Sequence, residues 1–324
     1  MADPLITHAD IARFAADRVN LPADLAKEYR EQVNRLRERL VAHIAENPGF
    51  ALVKMLHGGS VAKGTGLRTL NDLDVAVYLK KESVPIREEK LVPWLAERLR
   101  EANPNMKPDQ FDDSQPHCVT VRFRGSGLDV DMVPVLYEGA PNDLGYLIDK
   151  NTGDRLLTSI PLHLEFIRAR KKAHPDHWAQ VVRLLKWWAT QRKAVDDAFK
   201  CKSFMVELLV AHCVDRGTLP LSDYPRALET LFSYIVKTGL EDRIAFTDYY
   251  PAQRLPGPTG AVIEVFDPVN PVNNVSEKYT AADRDRVVRA AEEAADAISE
   301  AYYATTKARA IECWQVVLGP GFRA

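Results

Sequence analysis

The sequence predicts an α+β protein whose first half mixes strands with helices and whose second half is mostly helical. Residues 22–46 carry apolar side chains at three- and four-residue steps, which predicts a long amphipathic helix. Residues 73–79 alternate in the manner of a strand, because every second side chain is a leucine or valine. From about residue 161 onward, the apolar spacing is mostly helical. Together these observations place an α/β region before a helical one.

The other predicted elements divide between the same two halves. In the first half, strands are expected at 50–56, 117–124 and 128–136, and a surface helix at 87–102. In the second half, helices are expected at 161–172, 176–193, 203–216, 224–238 and 281–313. Several prolines predict that residues 248–275 are irregular. We therefore expect two domains, residues 1–158 and residues 159–324.

The composition is that of an ordinary globular protein and argues against several classes. Of 324 residues, 46% are hydrophobic and 27% are charged, and 43 basic against 45 acidic residues give a net charge of −2. A protein that mainly grips nucleic-acid backbone usually carries a basic surplus, so DNA or RNA binding is not expected to be essential. The sequence shows no signal peptide and no membrane-spanning apolar run. The four cysteines form no CxxC pair, which favours a reducing cytoplasm over a disulfide framework or a zinc site.

Two aspartate pairs stand in otherwise apolar strands. Asp72 and Asp74 are two residues apart, so their side chains project from the same face. Asp129 and Asp131 repeat this spacing on a second strand. Carboxylates are preferred ligands of Mg²⁺, and two such ions about 3.5–4 Å apart promote attack on a phosphorus atom. The strand period does not distinguish Asp129 from Asp131 as a third ligand, because both point the same way.

A glycine-rich turn precedes the first aspartate pair. Gly58 and Gly59 allow a tight turn and a close approach of the backbone to a ligand. Ser60 is expected to cap the helix that follows, whose amide groups would then face the phosphates of a nucleotide. Lys63 and Arg68 would add positive charge near those phosphates.

Each of these features, taken singly, is also common in proteins without such a site. A Gly-Gly-Ser sequence is usually a turn with a capped helix, and an Asp-x-Asp sequence is usually a solvated strand face. The neighbours His117 and Cys118 have no second Cys/His pair to complete a metal site. The joint pattern is different, because carboxylates within an apolar strand cost stability unless they serve a function. It indicates transfer of a nucleotidyl group from a triphosphate, with release of pyrophosphate.

At these residues the chain resembles the cGAS/DncV-like nucleotidyltransferases. The similar segments are Gly58–Arg68 (GGSVAKGTGLR), Asn71–Val77 (NDLDVAV), Ile160–His163 (IPLH), Arg183–Trp188 (RLLKWW), Lys202–Leu208 (KSFMVEL) and Asp267–Val275 (DPVNPVNNV). Among these enzymes it is most similar to the bacterial CD-NTases of anti-phage (CBASS) operons, clades C and D. The resemblance implies a polymerase-β-like core with a long N-terminal spine helix. It also implies a C-terminal helical lobe like that of oligoadenylate synthetase, with a cleft between the lobes.

The resemblance assigns roles that the residues alone leave open. The family pattern of an aspartate followed by apolar residues and a proline matches Asp131, which implies that Asp131 is the third metal ligand. The glycine turn, with Ser60, would contact the donor phosphates, and Lys186 and Ser203 would hold the triphosphate from the helical lobe. Arg183 lies one helical turn from Lys186 and is a further candidate. Two Mg²⁺ ions, for which Mn²⁺ can substitute, would be bound by Asp72, Asp74 and Asp131.

Ordinary structural roles are equally open to the residues of the helical half. Lys186 can be a lysine that extends to solvent past Trp187. Ser203 is expected at the N-cap of its helix, which does not exclude a phosphate contact. Pro175-Asp176 is expected to begin the helix that carries Lys186.

The function implied by the resemblance is synthesis of 3′–5′-linked cyclic tri-AMP from ATP. Implied partners are a HORMA-domain regulator and an AAA+ ATPase from the same operon, and a downstream effector, often a nuclease. The alternatives are synthesis of a cyclic dinucleotide, another cyclic trinucleotide or a linear oligoadenylate, or nucleotidyl transfer to a protein or tRNA. Outside enzymes, a nucleic-acid-sensing module stays open, and the intact aspartate set argues against an inactive scaffold.

Overall fold

The computed structural model describes residues 4–47, 51–70, 72–84 and 87–324. The chain forms two compact units. One comprises Leu21–Ile167, and the other comprises the chain up to Asn20 together with Arg168–Ala324. We call them the sheet unit and the helical unit. The expected division into domains after residue 158 stays a prediction.

The described residues form both helices and strands, so the predicted α+β class is confirmed. The helices are α1 (His8–Phe14), α2 (Ala23–Glu46), α3 (Gly59–Lys63), α4 (Leu91–Ala102), α5 (Ile160–Ala173), α6 (Trp178–Val195), α7 (Ser203–Asp215), α8 (Tyr224–Thr238), α9 (Ala281–Tyr303) and α10 (Lys307–Leu318). The strands are β1 (Leu52–His57), β2 (Asp72–Lys80), β3 (Phe111–Asp112), β4 (Val119–Phe123), β5 (Leu128–Tyr137), β6 (Gly145–Ile148) and β7 (Arg155–Thr158). No helix in the described part of the chain has the length and apolar character that a membrane span requires.

The strands of the sheet unit form one mixed sheet. Five of them follow the order β1-β2-β5-β4-β3, and β6 pairs with both β5 and β7. The neighbours β2 and β5 run parallel, whereas β1 pairs antiparallel with β2 and β4 pairs antiparallel with β5. Because β2 and β5 are parallel, their amino ends meet at the same edge of the sheet, and side chains there become neighbours.

The two faces of β2 have different surroundings, which confirms the alternation predicted for this strand. Its leucine and valine side chains belong to the main apolar core, together with residues of α2 and α4. On the other face, Ala76 and Tyr78 enter a smaller apolar cluster. Asp72 and Asp74, at the beginning of that second face, are exposed. The carboxylates therefore occupy a part of the sheet that the apolar clusters leave uncovered.

Several element boundaries differ from the prediction, and the largest differences are in three helices. The helix expected at 281–313 is two helices, because the Thr306 hydroxyl accepts a hydrogen bond from the Arg309 amide (3.2 Å) and caps α10. The helix expected from Pro175-Asp176 begins at Trp178, after a turn. The surface helix expected at 87–102 begins at Leu91. Phe50, the first residue of the first predicted strand, lies outside the described residues.

Residues 248–275 form an irregular segment, as predicted, and its polar side chains satisfy its own backbone. The side-chain oxygen of Asn274 accepts from the Val265 amide (3.1 Å), and its nitrogen donates to the Ile263 carbonyl (2.8 Å). Asp267 likewise accepts from the Val269 amide (2.8 Å). Such local side-chain bonds replace those of regular structure and explain the asparagines of this segment.

Candidate active site

The predicted carboxylates meet on the parallel pair of strands. The β2–β5 register places Asp74 opposite Asp131 and Asp72 opposite Asp129. Residues directly opposite on adjacent strands share a face of the sheet, and so do residues two apart on one strand. Asp72, Asp74 and Asp131 therefore present their side chains on one face. Asp129 presents its side chain on that same face, so the register alone does not choose between it and Asp131.

A neighbouring hydroxyl distinguishes Asp131 by fixing its carboxylate. The hydroxyl of Thr120, on β4, donates to Asp131 Oδ1 at 2.5 Å, and Thr120 is only 9% exposed. Cys118 lies just before Thr120, and burial, followed by the charge of Asp131, raises the pKa of its thiol to about 12. A thiol with such a pKa stays protonated near neutral pH, so it does not compete with the carboxylates for a hard cation. The Thr120 contact was not predicted, because it depends on the β4–β5 register.

Gly59 lies directly against Asp74. Its φ of +58° is in the left-handed region, and a Cβ added there would come within 1.7 Å of Asp74 Oδ2. The preceding Gly58 amide donates to the Asp74 carbonyl at 2.8 Å, which ties the turn to β2. Both the backbone conformation and the close approach therefore require glycine at residue 59. The observed close approach is to Asp74, and the predicted approach of this turn to a ligand stays a prediction.

The prediction that Ser60 caps the following helix is wrong. Gly58 occupies the N-cap position of α3, and Ser60 is its second residue. The helix is only five residues long and ends at Lys63, followed by Gly64 in the left-handed conformation. Half-buried Ser60 and Lys63 thus lie on a short turn of helix beside the aspartates, whereas Arg68 is exposed. Their predicted contacts with phosphate stay predictions.

The chemistry of the three aspartates fits Mg²⁺. They offer carboxylate oxygens, the ligands that this hard cation prefers, on two adjacent strands. Among the described residues, no three His, Cys, Asp or Glu side chains are drawn together as a finished metal site. Carboxylates that share a site repel one another, and cations bound between them would relieve that repulsion.

A second candidate region, which we call the lysine pocket, lies within the helical unit. It has a volume of about 330 Å³. Its lining residues are Lys186, Ala189, Thr190, Lys193, Phe199, Lys200, Cys201, Lys202, Ser203 and Val206. The structure therefore brings Lys186 and Ser203 together, the two residues predicted to hold the donor triphosphate. Four lysines line this pocket, so it suits a polyanion.

Within the lysine pocket, Lys186 is held by an ion pair. Its Nζ lies 2.6 Å from Glu207 Oε1, and the two side chains are 4% and 2% exposed. A lysine that extends to solvent past Trp187 is therefore ruled out, and the Trp187 indole instead donates to the Leu318 carbonyl at 2.8 Å. Glu207 was not predicted as a site residue, because the sequence gives no sign that it meets Lys186.

At the exposed edge of the lysine pocket, which we call its mouth, the residue that caps α7 differs from the prediction. Lys202 is the N-cap residue of α7, and Ser203 is the first helical residue, so the expected capping by Ser203 is wrong. Burial, together with the charges of Lys200 and Lys278, lowers the pKa of Lys202. These lysines were missed because a lysine in a loop is ordinarily a solvated one. Their clustering is apparent only once the loop is folded.

Arg183 is placed differently from its neighbour Lys186. It donates to Gln180 Oε1 at 2.8 Å, and burial lowers the pKa of its guanidinium, whereas nearby Tyr224 acts in the opposite direction. It is not among the residues that line the lysine pocket. Arg183 and Lys186 are one helical turn apart but have different partners, since Arg183 contacts Gln180 and Lys186 contacts Glu207. A nucleotide contact for Arg183 stays a prediction.

This chain is similar to known proteins in both its sequence and its fold. No protein-family model matches the sequence. The chain is 49% identical over 323 residues to the cyclic AMP-AMP-AMP synthase of Escherichia coli strain MS 115-1, with 100% of each chain covered. The chain belongs to the CD-NTase family. Two solved structures of E. coli MS115-1 CdnC also match this fold, each with 49% identity and a TM-score of 0.90. One, with ATP, covers 99% of this chain and 100% of that chain, and the other, a complex with HORMA-deltaN, covers 98% and 99%.

Membership of the CD-NTase family confirms the resemblance predicted from the sequence. It makes the chain a nucleotidyltransferase with the fold of that family, a class of enzyme that generally uses divalent metal ions. The match covers the sheet unit and the helical unit alike. It therefore includes the face of the sheet that carries Asp72, Asp74 and Asp131, which we call the aspartate face, as well as the lysine pocket.

Proposed function

We propose that this CD-NTase converts ATP into 3′–5′-linked cyclic tri-AMP and pyrophosphate. The observation that carries the proposal is the full-length 49% identity to a cyclic AMP-AMP-AMP synthase. The aspartate face supports the chemistry, because Asp74 stands opposite Asp131 and directly under Gly59. The lysine pocket supports the substrate class, because it suits the negative charge of a triphosphate.

In each of the first two rounds of the proposed reaction, a 3′-oxygen attacks the α-phosphorus of a bound ATP. The new bond joins the 3′-oxygen to that phosphorus, and the bond to the β-phosphate oxygen breaks, so pyrophosphate leaves. Two rounds give a linear trimer with a 5′-triphosphate. In the third round the trimer's own 3′-oxygen attacks its own α-phosphorus, which closes the ring and releases the third pyrophosphate. The 3′-hydroxyl proton is lost to a base at each attack.

The residues of the aspartate face would orient the reacting groups. Two Mg²⁺ ions held by Asp72, Asp74 and Asp131 would neutralise phosphate charge and acidify the 3′-hydroxyl when bound. Asp131 is held by Thr120 in one orientation, which suits it to receive the 3′-hydroxyl proton. Gly59 would let phosphate oxygens approach the backbone beside Asp74, and Ser60 and Lys63 would bind those oxygens.

The lysine pocket would bind the triphosphate with residues of the helical unit. Lys186 and Ser203 would contact the β- and γ-phosphates, with Arg183 as a further candidate. Holding the leaving pyrophosphate in line with the 3′-oxygen would lower the barrier, because the reacting atoms must approach along one axis.

The biological setting is also part of the proposal. The E. coli CdnC structure in complex with HORMA-deltaN supports a HORMA-domain regulator for this chain. We propose that the enzyme acts in the cytoplasm in anti-phage defence, and that its product activates a downstream effector, which we expect to be a nuclease. Neither DNA nor RNA is required in this proposal, in line with the net charge of −2.

Product analysis tests the proposed function. The purified chain is incubated with all four labelled nucleoside triphosphates and Mg²⁺, alone and with its HORMA-domain protein, then treated with phosphatase and analysed by mass spectrometry. A phosphatase-resistant product labelled only from ATP, with the mass of three AMP units, is expected. A resistant product of two units or of mixed bases would identify another cyclic product. Only phosphatase-sensitive chains, with and without the partner, would indicate a linear synthase instead.

A further inference from the structure

The buried ion pair between Lys186 and Glu207 requires a reason beyond stability. Both side chains are almost fully buried, with a Nζ–Oε1 distance of 2.6 Å. Removing two charges from water costs free energy that their attraction often fails to recover, and an apolar pair of similar size is often at least as stable. On α7, the residues around Glu207 are apolar and buried, so an apolar side chain would suit this position. Packing alone therefore does not account for the carboxylate.

The arrangement of the pair relative to the lysine pocket supplies the reason. Lys186 lines the pocket, whereas Glu207 is not among the lining residues. Glu207 follows Ser203 by four positions on α7, so the two lie on the same face of that helix, one turn apart. The Glu207 carboxylate thus contacts Lys186 without lining the pocket itself. It does so from the face of α7 that also carries Ser203, the other residue predicted to contact phosphate.

We propose that Glu207 is a positioning residue that orients the Lys186 ammonium toward the triphosphate. An ammonium carries three donors, so a bond to Glu207 is compatible with donation to a phosphate oxygen. A lysine side chain has four rotatable carbon–carbon bonds, and a fixed partner restricts it before the substrate arrives. The inference rests on the proposed function, because it takes Lys186 to be a triphosphate ligand.

Two readouts test this role, and neither is a simple loss of activity. The first compares the change in the Michaelis constant (KM) for ATP with the change in kcat. The second is calorimetric binding of inorganic tripolyphosphate, which carries the phosphates without a base or sugar. For Glu207→Gln, we expect the KM for ATP to rise and the affinity for tripolyphosphate to fall, each by about tenfold, the usual effect of losing a hydrogen bond between charged groups. Glu207→Asp retains the charge and is expected to recover part of both.

A matched control is offered by Glu293. It forms an ion pair of the same length, 2.6 Å, with Arg192 of the same helix α6, but at an exposed position. Glu293→Gln removes the same charge and is expected to leave both readouts at the wild-type value. Thermal unfolding of every variant shows whether it is folded.

A double variant keeps the test informative if Glu207→Gln does not fold. Lys186→Met with Glu207→Leu removes both charges and leaves an apolar pair, which we expect to fold. Its tripolyphosphate affinity should be no lower than that of Lys186→Met alone, because Glu207 has no positioning role once Lys186 is absent and its unpaired charge no longer repels the phosphates. An additional tenfold loss in the double variant would overturn the proposal, since Glu207 would then act independently of Lys186.

The remaining outcomes separate this inference from the proposed function. If Lys186→Met weakens tripolyphosphate binding but neither Glu207→Gln nor Glu207→Asp does, the positioning role is overturned and the triphosphate site stands. If Glu207→Gln strengthens binding, Glu207 restrains Lys186 rather than presenting it, which also overturns the role. If Lys186→Met changes neither readout, the assignment of Lys186 to the triphosphate is itself wrong.

Discussion

The aspartate face and the lysine pocket are two charged regions built in opposite ways. The aspartates stand on the regular strands β2 and β5, with Asp72 and Asp74 exposed. The lysine pocket is formed by α6, the loop that follows it and the beginning of α7, and its most buried cation, Lys186, is paired with Glu207. Exposed carboxylates such as those of Asp72 and Asp74 keep their contact with solvent, whereas a buried ammonium needs a fixed partner.

This difference predicts how each region responds to substitution. On the aspartate face, function is expected to depend on a few side chains whose removal leaves the fold intact. In the lysine pocket, stability and binding are coupled through the buried pair, so the two must be measured together. The following substitutions test that contrast, from the largest expected effect to the smallest.

The largest effect is expected from Asp72→Asn combined with Asp74→Asn. Loss of both carboxylates removes the ligands that would be shared by the two metal ions, so synthesis from ATP should fall by at least about 10³-fold. Both side chains are exposed, so the unfolding temperature should change little. Product formation measured by chromatography, together with a thermal unfolding curve, checks both expectations.

Asp129→Asn is the matched control for that double variant. Asp129 stands opposite Asp72 in the register and projects from the same face of the sheet. It is predicted not to bind metal, so its substitution should leave most of the activity. If Asp129→Asn abolishes synthesis and Asp131→Asn does not, the third ligand has been assigned to the wrong aspartate.

The next largest effect is expected from Gly59→Ala. The added Cβ would lie within 1.7 Å of Asp74 Oδ2, at a φ of +58°. Asp74 must move away, and a displacement of about 1 Å at a reacting group lowers kcat/KM by about 10²-fold. Gly139→Ala separates the two causes, because Gly139 also has a positive φ (+82°) but no atom within 4 Å of the added Cβ. Similar losses of kcat/KM in both variants would show that close approach to Asp74 is not the reason for glycine.

The contrast between the two regions also explains what could be predicted from the sequence. The alternation of β2 identified Asp72 and Asp74 and their common face, because a strand has a fixed period. Asp131 could not be separated from Asp129 by the same rule, and required the family pattern. Glu207 lay within a segment similar to the family without receiving a role, because its contact with Lys186 depends on the packing of α6 against α7.

The errors in the prediction have the same origin. Ser60 and Ser203 were both expected at N-cap positions, because serine is common there. In each case the helix begins earlier than expected, so the N-cap residue is Gly58 for α3 and Lys202 for α7. Local preferences are weak enough for tertiary contacts to shift a helix start by one or two residues. A sequence pattern therefore locates a functional turn more reliably than it locates the cap within it.

A smaller effect is expected from Thr120→Val, which tests the support of Asp131. The substitution keeps the shape of the side chain but removes the hydroxyl that donates to Asp131 Oδ1 at 2.5 Å. Loss of such a supporting contact typically weakens metal binding by about tenfold. The concentration of Mn²⁺ at half-maximal rate should rise accordingly, and Thr120→Ser, which retains the hydroxyl, should remain close to wild type. Equal values for the valine and serine variants would show that the hydroxyl does not support metal binding by Asp131.

The smallest effect is expected from Lys202→Gln, at the mouth of the lysine pocket. Burial and the charges of Lys200 and Lys278 lower the pKa of Lys202, so the folded protein bears an electrostatic cost while this side chain is protonated. That cost is present at low pH and is relieved as pH rises through the lowered pKa, and a bound triphosphate would relieve it at neutral pH. For a partly exposed charge we expect the KM for ATP to rise only about three- to fivefold.

The pH dependence of that effect is the sharper measurement. Over the pH range that leads up to the ordinary lysine pKa of about 10.4, wild-type Lys202 should lose its proton before an ordinary lysine does, so the KM of the wild type should approach that of Lys202→Gln as pH rises. Lys237→Gln, at an exposed position in the last turn of α8, is the matched control and should follow the wild type at every pH. A ratio of KM values that stays constant across this range would mean that Lys202 acts through its shape rather than its charge. In that case the charge of Lys202 would contribute nothing to the affinity of the lysine pocket for phosphate.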